Sequence, residues 1–164
     1  MIPLERLLDG LEVAVERLRI ADAEEWWPRR SARCLAAPTL RCTQSGTGMV
    51  ELAGGATLRC SPRSAIVVPP GCTRRAAPEW SPTSAVSDPE TLVAWGLVRA
   101  TYKGSVDLFD HLPEPLVEPL ASDDPIRHCF SWLMDEIATR RPGWRAMTET
   151  LLRRCLILLL RRHC

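Results

Sequence analysis

The sequence predicts an α+β domain that is mainly β, a small antiparallel barrel followed by two C-terminal helices. Two observations carry that expectation. Between residues 33 and 77 the apolar residues alternate in runs of about four or five, separated by Gly, Pro and Ser every 8–12 residues or so, as sandwiches and small barrels require. Beyond residue 120 the apolar period lengthens from two to 3.6. At 164 residues the chain can bury one sizeable core without disulfides or a structural metal.

The elements follow in order. Leu4, Leu7, Leu8 and Leu11 have helical spacing, and Gly10 ends a short helix. Leu11, Val13 and Val15, then Leu18 and Ile20, alternate with Glu12, Glu16, Arg17 and Arg19, so the strand slips phase by one residue and predicts a bulge. Trp26-Trp27-Pro28 cannot continue a helix. Brief strands are expected at 32–35 and 39–43. The runs 49–52 and 57–60 flank Gly54-Gly55 and predict a tight hairpin. Residues 61–64 turn the chain into a strand at 65–68, and Pro69-Pro70-Gly71 turns it again. Prolines, serines and threonines mark 78–91 as a surface loop. Residues 91–102, apolar on both sides, predict a central strand covered on both faces, and 106–109 a short closing piece.

His111, Pro113, Pro115 and Pro119 suggest an extended connector. Asp124 caps the next helix, with Pro125 at its first position and Ile126, Cys129, Phe130, Leu133, Met134 and Ile137 as its apolar stripe. Arg140-Arg141-Pro142-Gly143 stops it. The last helix begins near Trp144 and would run about 31 Å at 1.5 Å per residue. Its apolar arc is wide enough for two neighbours, so Met147, Leu151, Leu152, Cys155, Leu158 and Leu159 are assigned to a homodimer interface. The expected division is a barrel over 1–110 and, over 111–164, a helical hairpin that packs on it. Arg161-Arg162-His163-Cys164 contains no helix stop signal, which suggests the front part of a longer protein.

Composition excludes several classes. Hydrophobic residues at 46% and charged residues at 25% are globular values, so wholesale disorder is excluded. A formal charge of +1 argues against a surface that grips nucleic acid. No run approaches the roughly 20 apolar residues of a membrane span, and residues 1–6 do not open a signal peptide. A soluble, cytoplasmic protein without membrane partners is expected. The seven cysteines (34, 42, 60, 72, 129, 155 and 164) include no C-x-x-C pair and are read as reduced thiols. Cys34, Cys42, Cys60 and Cys72, on the barrel strands and turns, are the candidates for oxidation if they share an interior.

The words Thr43-Gln44-Ser45-Gly46, Leu52-Ala53-Gly54-Gly55, Ala65 to Gly71, His111-Leu112-Pro113 and Asp123-Asp124-Pro125 stand in an order that resembles the sensor domain of AraC-type transcriptional regulators. The resemblance implies a cupin-like antiparallel β-barrel (jelly roll) with a C-terminal two-helix hairpin. It further implies an effector-sensing, dimerising domain, with DNA bound only through a further C-terminal domain of two helix-turn-helix units. Cupin barrels often hold a metal through His and Glu. Here Arg63 replaces the Gly that opens the second motif's turn, Arg74 stands at its metal-binding His, and the first motif lacks both His and Glu. The three histidines, His111, His128 and His163, lie outside the barrel. Guanidinium offers no lone pair, so neither metal nor other cofactor is expected, and no enzymatic activity.

The arginines offer a different chemistry. Arg41, Arg59, Arg74 and Arg99 recur on the middle strands and turns, and an inward guanidinium needs a carboxylate partner or an anionic ligand. These four, with Trp95 as a stacking wall, are the candidate contacts for a small, anionic effector. Two other readings stand beside this one: a stand-alone cupin enzyme acting on a small metabolite, and a cysteine-based redox sensor.

Overall fold

The computed structural model describes residues 4–21, 38–43, 45, 48–51, 57–70, 93–109, 112 and 114–163. A short helix, α1 (Leu4–Asp9), leads into β1 (Leu11–Ala21). Then come β2 (Thr39–Thr43), β3 (Gly48–Glu51), β4 (Thr57–Cys60), β5 (Ser64–Val68), β6 (Val93–Tyr102), β7 (Val106–Asp107) and β8 (Leu116–Pro119). Two helices finish the chain, α2 (Pro125–Thr139) and α3 (Trp144–His163). The strands expected at 32–35 and the loop at 78–91 lie outside the described residues.

Six strands form one antiparallel sheet in the order β1-β6-β2-β5-β8, with β7 paired to β6. The strands β3 and β4 pair antiparallel as a separate two-stranded sheet, as the Gly-Gly signal predicts. Antiparallel pairing therefore stands; closure into a barrel is not seen among the described residues. Among the described residues no ladder joins the two sheets, and β1 and β8 are free edges of an open one. The proline-rich connector is also corrected: Leu116–Pro119 is a strand, with Val117 opposite Ile66 and Pro119 opposite Ser64. An edge strand tolerates proline because one of its rows of N–H groups has no partner to supply. Among the described residues the large sheet thus continues to Pro119.

The bulge is where the phase slip predicts it. Val15 pairs with Val98 and Arg17 with Leu97, leaving Glu16 as the extra residue. Before the bulge Leu11, Val13 and Val15 face the helices; after it Leu18 and Ile20 do, and Glu12, Arg17 and Arg19 stay exposed. Without the insertion, one half of the apolar set would turn to the opposite face.

Asp124 caps α2: its Oδ1 accepts the Ile126 N–H at 2.8 Å, with Pro125 as the first helical residue. Ile126, Cys129, Phe130, Leu133 and Ile137 are buried along α2, and Leu151, Leu152, Cys155, Leu156, Leu159 and Leu160 along α3. They pack with Leu40, Cys42, Ala65, Val67, Ala94 and Val98 of the sheet in one core. Each fully buried Leu or Ile there contributes about 1.5–3 kcal/mol.

Gly96 sits opposite Leu18, just past the bulge, and a Cβ there would lie 2.9 Å from both the Arg17 carbonyl oxygen and Leu18 Cδ1. The backbone oxygen cannot move without shifting β1. Gly96→Ala should therefore destabilise the fold by about 1–3 kcal/mol, read as a lower urea midpoint at unchanged slope.

Candidate functional site

The sheet's two faces differ in chemistry. Leu40, Cys42, Ala65, Val67, Ala94 and Val98 meet the helices. Alternation turns Thr39, Arg41 and Thr43 of β2, Ser64, Ile66 and Val68 of β5, and Leu97 of β6 to the other side. Neither α2 nor α3 packs on that face among the described residues, yet all seven side chains are buried. It carries four of the six buried polar or charged residues described, Thr39, Arg41, Thr43 and Ser64.

Register organises these residues. Arg41 stands opposite Ile66 and Trp95, and Thr43 opposite Ser64 and Val93. Thr39 and Thr43 flank Arg41 on one face, each about 7 Å along the strand. Arg41 is 4% exposed, so a guanidinium is held out of water in the middle of the sheet. Ser64 is satisfied locally, donating from Oγ to the Ser61 carbonyl at 2.6 Å. Thr43 is not: its Oγ1 is fully buried with no hydrogen-bond partner among the described residues. A buried hydroxyl left so costs about 1–3 kcal/mol, and this one lies one strand repeat from a buried cation. The arrangement suits a small anion, which takes charge-assisted hydrogen bonds from the guanidinium and one more from a hydroxyl.

The same residues do not suit the metal that cupin barrels often carry. Guanidinium and threonine hydroxyls are poor ligands for iron or zinc, and no group of three or more His, Cys, Asp or Glu among the described residues could hold an ion.

Of the five ligand candidates, the structure brings Arg41 and Trp95 into register. Arg99 lies on the surface, where its Nη2 donates to Oε1 of the bulge residue Glu16 at 2.7 Å. Arg59 lies on β4 opposite Met49, its side chain outside the described residues, as is all of Arg74. Cys34 and Cys72 are also outside them. Cys60 pairs through its backbone with Gly48. Cys42 is buried on the helix side, away from Arg41. In the dimer set, Leu151, Leu152, Cys155 and Leu159 are already buried in the chain's own core. Met147, 47% exposed, and the half-buried Leu158 remain open to a partner.

Sequence reasoning missed two groupings. One is the thiol pair Cys129 and Cys155, which only the hairpin brings together. The other ties the end of α3 to the start of α2. Arg162 forks onto Asp124, with Nη1 2.8 Å from Oδ2 and Nη2 2.9 Å from Oδ1, and Nη1 also donates to Glu118 Oε1 at 2.9 Å. His163 Nε2 lies 3.0 Å from Glu118 Oε2. An N-cap aspartate with a distant basic helix end was the available signal, but nothing in the sequence set their distance.

Burial alone would raise the Asp124 carboxyl, but the hydrogen bonds from Arg162 and the Ile126 N–H outweigh it and hold the group below its ordinary value. A carboxyl lowered on folding stabilises the fold above its unfolded value, near pH 4, and that contribution fades as pH falls through the folded one. Asp124→Asn keeps the cap and loses the ion pair. It should cost about 1–3 kcal/mol at pH 7 and much less at pH 3, measured by urea unfolding of both proteins.

A family model described as Cupin matches residues 3–164 of the chain. No curated protein matches it.

Proposed function

The chain belongs to the cupin family, and on that premise we propose that it is the effector-sensing and dimerisation domain of an AraC-type transcriptional regulator whose effector is a small carboxylate or similar anion. The observation that carries the anion is Thr43 Oγ1, buried and without a partner among the described residues, beside the buried Arg41 on the face opposite the helical layer. A bound carboxylate would accept from both groups. Leu40 and Cys42, the alternate residues of the same strand, pack on the helical layer. An anion that moves β2 toward one position therefore biases the hairpin beneath it, provided that its affinity differs between the two arrangements. In the full-length regulator that bias would reposition the DNA-binding units.

The non-catalytic reading is supported by the donor set, because guanidinium and hydroxyls bind anions and poorly hold the Lewis-acid metals on which much cupin chemistry leans. A site in the protein's interior fits a cytoplasmic sensor of a diffusible metabolite, and no helix among the described residues is long and apolar enough to cross a membrane. The dimer would use what α3 still exposes. Met147 and Leu158 are eleven residues apart, three turns along one stripe.

A panel of small carboxylates tested by thermal unfolding would identify the class. A ligand at 100 times its Kd stabilises by about 2.7 kcal/mol, a rise of several degrees for a domain of this size. Thr43→Val should weaken binding about tenfold while leaving the free protein as stable or more so, since it removes the unpaired hydroxyl. Arg41→Met should abolish the shift. If no anion in the panel moves the wild-type transition, the anionic effector is refuted. Met147→Glu combined with Leu158→Glu should halve the sedimentation mass; an unchanged mass would overturn the proposed interface.

A further inference from the structure

Three cysteines lie in the layer between sheet and helices: Cys42 on β2, Cys129 on α2 and Cys155 on α3, none in a disulfide and each at most 1% exposed. Hairpin geometry puts two of them level. Cys129 is ten residues before the end of α2 at Thr139, and Cys155 eleven after the start of α3 at Trp144. At 1.5 Å per residue that is about 15 Å and 16 Å from the turn along two antiparallel helices. Both side chains belong to the stripes with which α2 and α3 face each other and the sheet, and the two thiols are close enough to perturb each other's ionisation.

We propose that Cys129 and Cys155 form a disulfide when the protein meets a hydroperoxide, a modification that fastens α2 to α3. The Cys129 sulfur attacks one peroxide oxygen, the O–O bond breaks, and the departing hydroxide (or alkoxide) takes a proton to leave as water or alcohol. Cys129 is then a sulfenic acid. The Cys155 sulfur attacks it, the S–O bond breaks, and the hydroxide leaves as water with the Cys155 proton. The thiol pair loses two electrons and the hydroperoxide gains them.

The environment divides the roles. The hydrogen bond from Cys155 draws the Cys129 thiol down to about 7 against the opposing effect of burial, helped by Arg154, so Cys129 is the nucleophile. The same hydrogen bond, with burial, pushes Cys155 up, which suits a resolving thiol that holds its proton until the second step. Both sulfurs are enclosed, so the small oxidant enters when the hairpin opens locally, and the rate follows that opening. The proposal is independent of the anion site on the opposite face.

The test is a peptide map of the wild-type protein after hydrogen peroxide, alkylation of the remaining thiols and trypsin digestion. Trypsin releases Cys129 in residues 128–140 and Cys155 in 155–161. The expected product is these two peptides joined, lighter than their sum by two hydrogens and separated by reductant. Cys155→Ser, which keeps a hydrogen-bond donor beside Cys129 and removes the resolving sulfur, should leave Cys129 as a sulfenic acid that dimedone traps. Recovery of both wild-type peptides fully alkylated, or of either joined instead to a Cys42 peptide, would overturn the proposal. So would a Cys155→Ser protein that folds and yields no dimedone adduct at Cys129.

Discussion

A β-strand shows its residues alternately to two sides, and the whole molecule depends on which side the helical hairpin covers. That choice obliges every strand of the large sheet to present an apolar set in one parity. The strands β6, β2 and β5 do so without interruption, through Ala94 and Val98, Leu40 and Cys42, and Ala65 and Val67. The eleven-residue β1 cannot, because its apolar residues change from odd to even positions, and the single inserted residue Glu16 restores the match. The insertion has structural consequences on both sides: it presses the backbone of Arg17 against Gly96, and it places a carboxylate within reach of Arg99.

Because the helices occupy one face, the other is free to be polar. Central position makes β2 the strand on which this contrast is sharpest. All five of its residues are buried, Leu40 and Cys42 in the apolar layer, Thr39, Arg41 and Thr43 opposite. Three consecutive residues thus join a buried cation, a core thiol and a buried hydroxyl, so any displacement along β2 is felt on both faces. The proximity is covalent, which makes β2 the shortest route between the proposed anion site on one face and the hairpin on the other.

The hairpin is fastened at both ends by different physics. At the turn, α2 closes with Arg140 in a left-handed conformation whose N–H donates to the Glu136 carbonyl. At the far end, Arg162 reaches Asp124 and Glu118, so the last turn of α3 is tied both to the cap of α2 and to the edge strand β8. Between them the apolar stripes are spent internally. That is why most of the residues whose arc looked wide enough for a partner are buried in the chain itself: a wide arc on a helix lying in the groove between a sheet and a second helix meets both neighbours at once.

Local chemistry was legible in the sequence wherever neighbours along the chain set it. The bulge, the Asp124-Pro125 start, the Gly-Gly pairing of β3 with β4 and the two helices follow from period, turn residues and caps, which act over a few residues. Long-range pairing decided the rest. Proline content read as a connector at Leu116–Pro119 because an edge position, which excuses proline, is a property of the sheet and not of the segment. Four arginines and Trp95 looked alike on alternating strands; register singled out Arg41 as buried and spent Arg99 on Glu16 at the surface. The cysteines that meet are Cys129 and Cys155, 26 positions apart, because two antiparallel helices bring to one height residues whose separation in sequence says nothing of their distance in space.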